Sequence, residues 1–436
     1  MRLRRTVAWG TIDQGLSSLT NLGLTLFGAR LIGPVGLGIV SVGFSAYVLA
    51  LVLQRTLLSQ PVVLESTTSD AAQRETSTRV GITGTLVVGV LASAVLVGIF
   101  LAVPDSVIGR GALLFAPWMP VALLQDYWRS VLFRDRRGAA AAGNDLAWLV
   151  VMALTLPLPI VLRTDAALVA CWGLGATAAA AFGFIQTGAR PQGIRSSWSW
   201  WRGGDGWLVG RWFTAEGVAF SGLSQAVTWV LAGLLGPAAL GGLRAGRTVF
   251  APLTLLGPAV VLPGLPAMVT ALETSLGRAR ALAIRLGAIL VGMTLPYLAL
   301  VAVLGGDRIL GWLFGQSFER FGDLALPIAA QQTLMAAGTG LYLLLKAARR
   351  GQALLTFRLI EAAATLALVV VATGWLEWGL LGAAWAITVG AAFGLAWKVR
   401  YVYRVLGRED QLSGPDLASD VRVEAVPAVG DGADGP

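Results

Sequence analysis

Histidine is absent from the 436 residues, cysteine occurs once, at Cys171, and lysine only twice. The lack of histidine removes the side chain most often used as a general base or metal ligand near neutral pH. A lone cysteine excludes a disulfide within the chain and any metal site built from several thiolates. Charge is scarce as well: Asp, Glu, Lys and Arg make up 13% of the residues, about half the share in a soluble domain. What fills the chain instead is apolar. Hydrophobic residues reach 56% and mean hydropathy is +0.72. These values exclude an ordinary water-soluble globule and point to an all-α polytopic membrane protein with no expected cofactor or metal.

The formal net charge of +9 raises the question of nucleic acid, and placement answers it. The basic residues, 31 of them arginine, sit in short clusters between apolar stretches and form no continuous basic face. No nucleic-acid partner is expected. At about 20 apolar residues per crossing, the chain reads as twelve spans: 7–31, 37–62, 80–103, 113–133, 139–162, 165–187, 208–235, 240–268, 283–304, 323–345, 352–373 and 378–399. Twelve crossings put both termini on one side. That side carries 22 basic residues against seven opposite, so both ends are expected in the cytoplasm of a bacterial inner membrane. The first apolar run carries Asp13 and is too long for an export signal, so it reads as a span. Residues 409–436 are rich in Gly, Pro, Asp and Glu and read as a disordered tail.

The chain repeats itself. Leu31–Gly38 reads LIGPVGLG and Leu234–Gly241 reads LLGPAALG, 203 residues later. The same offset brings Trp9 onto Trp212, Asp13 onto Glu216, Asn21 onto Ser224 and Thr25 onto Thr228. A second echo, Arg136-Arg137-Gly138 against Arg349-Arg350-Gly351, lies at an offset of 213. Two six-helix lobes follow, residues 1–204 and 205–408. Six is even, so the lobes enter the membrane in the same sense and are related by a pseudo-twofold axis along its normal. Substrate sites in such folds lie between the halves. Within the repeat, Gly-Pro ends one helix and the later glycines allow a tight turn into the next.

Several polar residues lie inside spans. Asp13, Ser17, Asn21 and Thr25 recur every four residues and share one helix face. Glu216, Ser224 and Thr228 repeat three of these positions. A stripe of this kind faces the bundle interior, either as hydrogen-bonding glue or as the lining of a cavity with a coupling role. Asp126 and Arg129 are placed to neutralise one another at i and i+3, as are Arg358 and Glu361. Asn144 and Asp145 open the fifth span as caps. Arg55, Arg30, Arg244 and Arg247 have no evident local partner, and a guanidinium binds phosphate bidentately. If they line a central cavity it suits an anionic headgroup; the other reading is snorkelling to the membrane surface. Pro252, Pro258, Pro263 and Pro266 imply a bent or broken eighth span.

Three stretches carry a resemblance: Ala29–Pro34 with Gly36 and Gly38, Leu313–Phe318, and Leu124–Asp126 with Arg129, Asn144, Asp145 and Trp148. With them the chain resembles, over about residues 5–405, the multidrug/oligosaccharidyl-lipid/polysaccharide exporter superfamily, in its polysaccharide (Wzx-like) flippase branch. The resemblance implies a non-enzymatic carrier that moves a polyprenyl-diphosphate-linked oligosaccharide to the outer leaflet by alternating access, for surface polysaccharide biosynthesis. It further implies membrane lipids and the glycan-assembly machinery as neighbours, and H+ or Na+ as a coupling ion. The expected substrate-binding residues are Arg55, Arg244, Arg30, Arg247 and Asn21. The expected coupling or cavity residues are Asp13, Glu216, Asp126 and Arg129. The alternative is a cation-coupled multidrug antiporter of the same superfamily.

Overall fold

A computed structural model describes residues 2–65, 71–203, 205–254, 256–348 and 350–413, and among these there is no strand. The first half opens with α1 (Arg2–Gln54), whose helical run passes through a π turn (Arg55–Ser59) into α2 (Gln60–Glu65). There follow α3 (Ala71–Ala102), α4 (Val107–Phe115), α5 (Met119–Arg134), α6 (Gly138–Thr155), α7 (Pro157–Leu162) and α8 (Asp165–Thr187). A short connector helix, α9 (Ile194–Gly203), leads to the second half. That half comprises α10 (Asp205–Val249), α11 (Ala251–Thr254), α12 (Leu256–Thr274), α13 (Leu276–Leu304), α14 (Gly306–Phe314), α15 (Ala325–Ala347), α16 (Gly351–Val370) and α17 (Gly379–Ser413).

Ten helical runs among the described residues are long and apolar enough to cross a membrane, against the twelve spans expected. The difference lies at the repeat. The first run, Gly15–Val62, has 48 residues and would be about 72 Å long if straight, more than twice the bilayer core. It is not straight: Gly33 breaks the helix at φ 67°, immediately before Pro34. Gly236 does the same in α10 at φ 77°, before Pro237. Both bends use the left-handed backbone region that glycine tolerates, and both fall in the duplicated LGP motif. The expected span 240–268 is divided among the end of α10, α11 and α12, with the break at Phe250, two residues before Pro252. Helix α17 continues to Ser413, into the segment expected as tail; residues 414–436 lie outside the described residues.

The two bends pack against each other. A Cβ added at Gly38 would meet the Pro237 carbonyl oxygen, and one at Gly241 would meet the Pro34 carbonyl oxygen. Shifting one contact by 203 residues yields the other, the reciprocity found where equivalent surfaces meet. Around this seam the apolar core forms two main bodies. One, in the first half, stacks Tyr47, Phe115 and Trp148 around Trp172 at ring distances of 5.1–5.3 Å. The other gathers Leu231, Phe250, Phe314 and Phe318 with Ala29 and Leu37 of α1. Large side chains such as Leu101, Val161, Ile185 and Val303 point outward. Such a surface is unstable in water and matches a lipid-facing perimeter.

Candidate functional site

Two polar centres stand out, and they differ in charge. The first is buried in the first half. Arg55, in the π turn, donates from Nε to Asp126 Oδ2 (2.8 Å) and from Nη2 to Asp126 Oδ1 (2.5 Å). Arg129, one turn along α5, donates to Asp13 Oδ2 of α1 and lies 3.5 Å from Asp145 Oδ1 of α6. The contact expected within α5, Asp126 to Arg129, is present but long, at 3.6 Å. The i, i+3 rule identified the residues and missed their main partners, which lie 71 and 116 residues away. Arg55, read as lacking a local partner, has a bidentate one.

Asn144 and Asp145 do not cap their helix. They sit inside α6, buried, and receive hydrogen bonds from Gln125 Nε2 at 3.2 and 2.7 Å. Asn144 Nδ2 donates to the Ala179 carbonyl and to Gln186 Oε1, and so ties α6 to α8. The position seven residues past the helix start was the available signal, since a cap must lie at the end. The centre thus holds three carboxylates and two guanidiniums, an excess of one negative charge if all are ionised. Asp13 Oδ1 and Asp145 Oδ2 are both buried without a hydrogen-bond partner among the described residues. A single added proton would balance the charge and supply a donor. Among the described residues no group of three or more His, Cys, Asp or Glu could hold a metal ion. The π turn matters here: such turns re-aim side chains within a helix, and Gln54 braces this one by donating to Ser59 Oγ at 2.9 Å.

The second centre lies at the seam between α1 and α10. The Arg244 guanidinium stacks 4.5 Å over the Phe44 ring, with Nη2 3.4 Å from Thr25 Oγ1. Its Nε is buried with no hydrogen-bond partner, and no carboxylate forms an ion pair with it among the described residues. Arg247 follows one turn later, half-buried. Asn21 lies one turn before Thr25, whose hydroxyl donates to the Asn21 carbonyl. Close by, Trp229 Nε1 donates to Ser45 Oγ, again joining α10 to α1. Among the described residues the centre therefore carries positive charge with no counter-ion. Arg30 is arranged otherwise: it donates to the carbonyls of Trp312 and Leu313 at the end of α14, where helix carbonyls lack internal partners. The side chain of Glu216 lies outside the described residues.

This fold has known counterparts. It is similar to a multidrug resistance MATE family transporter of the MOP superfamily in its inward-facing conformation, with a TM-score of 0.68 at 12% identity, over 92% of this chain and 99% of the other. It is similar to the lipid II flippase MurJ in an inward closed conformation, with a TM-score of 0.69 at 12% identity, over 93% and 89% of the two chains. A MOP superfamily transporter from Pyrococcus furiosus, described by the reverse polarity of its binding pocket, gives 0.58 at 13% identity over 93% and 96%. No protein-family profile matches the chain, and neither does any curated protein. The chain has the fold of MOP-superfamily transporters, and it is a multi-pass membrane protein.

Proposed function

We propose that this protein is a transporter that moves an anionic lipid-linked oligosaccharide, carried on polyprenyl diphosphate, from the inner to the outer leaflet of a bacterial cytoplasmic membrane. The observation that carries this reading is Arg244, a guanidinium at the seam of the two halves that forms no ion pair with a carboxylate among the described residues. A membrane protein retains such a charge where a ligand supplies the counter-charge or water in a cavity solvates it, and a diphosphate suits a guanidinium through paired hydrogen bonds. Arg247, Asn21 and Thr25 extend the same surface. In this conformation Arg55 and Arg30 are engaged elsewhere, and we assign them to opening and closing the path. We read each bent helix as two crossings, with α11 and α12 completing the eighth, and so assign twelve crossings in two lobes, 1–204 and 205–408, with both termini cytoplasmic. The lobes, related by a pseudo-twofold axis along the membrane normal, rock against each other and expose the seam to each side in turn. Enzymes of surface polysaccharide assembly would supply and consume the cargo.

The acid-rich centre supports proton coupling: Asp13 and Asp145 share Arg129, and one proton restores neutrality. The same centre favours the second reading, a cation-coupled multidrug antiporter, in which the cargo is a cation and Arg244 is structural. Transport by purified protein in vesicles separates the two. Replacement of Arg244 by Gln should lower flipping of a fluorescent polyprenyl-diphosphate glycan at least tenfold, about 1.4 kcal/mol, with the protein still folded and monodisperse. Unchanged flipping overturns the phosphate role. Efflux of a cationic dye by wild-type protein, with no glycan flipping, establishes the antiporter instead.

A further inference from the structure

The connector between the expected spans 165–187 and 208–235 contains a helix too short and too polar to cross a membrane. Helix α9 has the sequence IRSSWSWWRG, with Arg190 just before it and Arg195 and Arg202 within it. At 100° per residue, Ile194, Trp198 and Trp201 fall on one face and Arg195 and Arg202 lie along its edge. Ile194 and Trp198 are exposed, at 68% and 56%, and Arg190, Arg195 and Arg202 are exposed too. One flank of this face is held down: Ser197, about 60° around the helix from Ile194, is buried, and just upstream Thr83 of α3 exchanges hydrogen bonds with the Gln192 backbone, at 2.7 Å to its carbonyl and 2.9 Å from its amide. Beside this fixed attachment Ile194 and Trp198 stay exposed, on the same stretch as the exposed arginines. The Arg202 guanidinium lies 5.9 Å over the Trp198 ring, so the two can share one level.

We propose that α9 is a membrane-surface anchor that lies in the interface and takes the headgroups of anionic phospholipids. Tryptophan prefers the boundary between acyl chains and headgroups. Flanking arginines extend toward phosphates while their stems stay in the apolar layer, and a short helix with an apolar face and basic edges lies flat there. The occupant is a lipid surface because α9 joins α8 and α10, two helices whose lengths cross the bilayer, and three arginines with no acidic residue between Arg190 and Arg202 favour an anionic one. Since α9 is the covalent link between the halves, its depth sets how freely the second moves against the first. The inference rests on the membrane reading of the flanking helices and is independent of the cargo.

Spin labels test it in full-length protein carrying Cys171→Ala, with a single cysteine placed at Trp198 or at Ser196 on the opposite side of the helix. In vesicles of phosphatidylglycerol and phosphatidylethanolamine, the label at 198 should be about fivefold less accessible to an aqueous nickel chelate than the label at 196. In phosphatidylcholine vesicles the gap should shrink, and adding Arg195→Gln and Arg202→Gln should abolish the difference between the two lipid mixtures. Equal aqueous accessibility at 196 and 198 in the anionic vesicles overturns the anchor. Persistence of the lipid dependence in the arginine variant overturns the assignment to anionic headgroups. Neither readout requires transport, so loss of glycan flipping leaves it intact.

Discussion

In the first half, Asp13, Asp126 and Asp145 share one buried centre with Arg55 and Arg129. In the second, a single Glu361 on α16 stands 3.0 Å from Lys398 Nζ and 3.6 Å from Arg358. One centre gathers three acids, the other a single acid beside two bases, yet the bends that organise the halves are nearly superimposable in backbone geometry (φ and ψ of 67° and −172° at Gly33, 77° and 177° at Gly236). The difference teaches that the duplicated motif governs backbone path, whereas charge has diverged freely behind it. A repeated Gly-Pro is required wherever a helix must turn back beside a copy of itself. Which ionisable groups fill the space behind is set by what each half must bind or release.

The largest expected effect comes from breaking a balanced pair. Replacement of Asp126 by Asn leaves both Arg55 and Arg129 without their shared acid and should cost about 3 kcal/mol, the lower end for a broken buried ion pair because the Arg55 side chain is 46% exposed. Replacement of Asp145 by Asn removes the excess charge instead, keeps an acceptor for Gln125, and should stay within about 1 kcal/mol. That variant should also lose any dependence of transport on a pH gradient, since it holds the centre permanently at the neutral charge count. Lys398→Met is the counterpart in the second half: it leaves Glu361 with Arg358 and should be similarly mild. Thermal unfolding in detergent checks all three. A mild Asp126 variant with a severe Asp145 variant would show that the surplus acid has been misplaced.

Parts of this arrangement were legible in the chain and parts were not. The bends were, because LIGPVGLG and LLGPAALG combine a residue that leaves right-handed helix with one that cannot continue it. The identity of the ionisable residues was also visible, since any charge stands out in a span. Their partners were not: local spacing pairs Asp126 with Arg129, while tertiary packing gives Asp126 to Arg55 and Arg129 to Asp13. Asn144 and Asp145 looked like caps because they are polar and lie close behind the basic Arg136-Arg137 loop, although the expected span, 139–162, already places them inside the helix. Helix α9 escaped for another reason, as a hydropathy window passes over ten residues whose apolar face is diluted by serine and arginine.

The similarity of the two bends can be tested directly. Gly38→Ala and Gly241→Ala each place a methyl group against a carbonyl on the other half, at Pro237 and Pro34. Each should cost about 2 kcal/mol, as overpacking of a tight contact does, and the two costs should agree. Unequal losses, with one variant near wild type in thermal unfolding, would mean that one bend carries the seam and the other merely follows.

The smallest effect is expected where the halves are not alike. At the repeat offset, the position equivalent to Arg30 is Gly233, so at this pair of positions the first half alone supplies a side chain that reaches across, to the end of α14. Arg30 is exposed and its acceptors, the carbonyls of Trp312 and Leu313, terminate a nine-residue helix. Loss of such hydrogen bonds with partial access to water is worth about 1 kcal/mol, too little to unfold the protein and enough to change a conformational ratio about fivefold. Arg30→Gln should therefore leave unfolding nearly unchanged while increasing the labelling of a cysteine placed at Thr25, in a chain carrying Cys171→Ala, by a membrane-impermeant thiol reagent added from the side opposite the termini. If that labelling does not rise, the contact fastens α14 to α1 as a fixed strut and the one-sided latch plays no part in opening the seam.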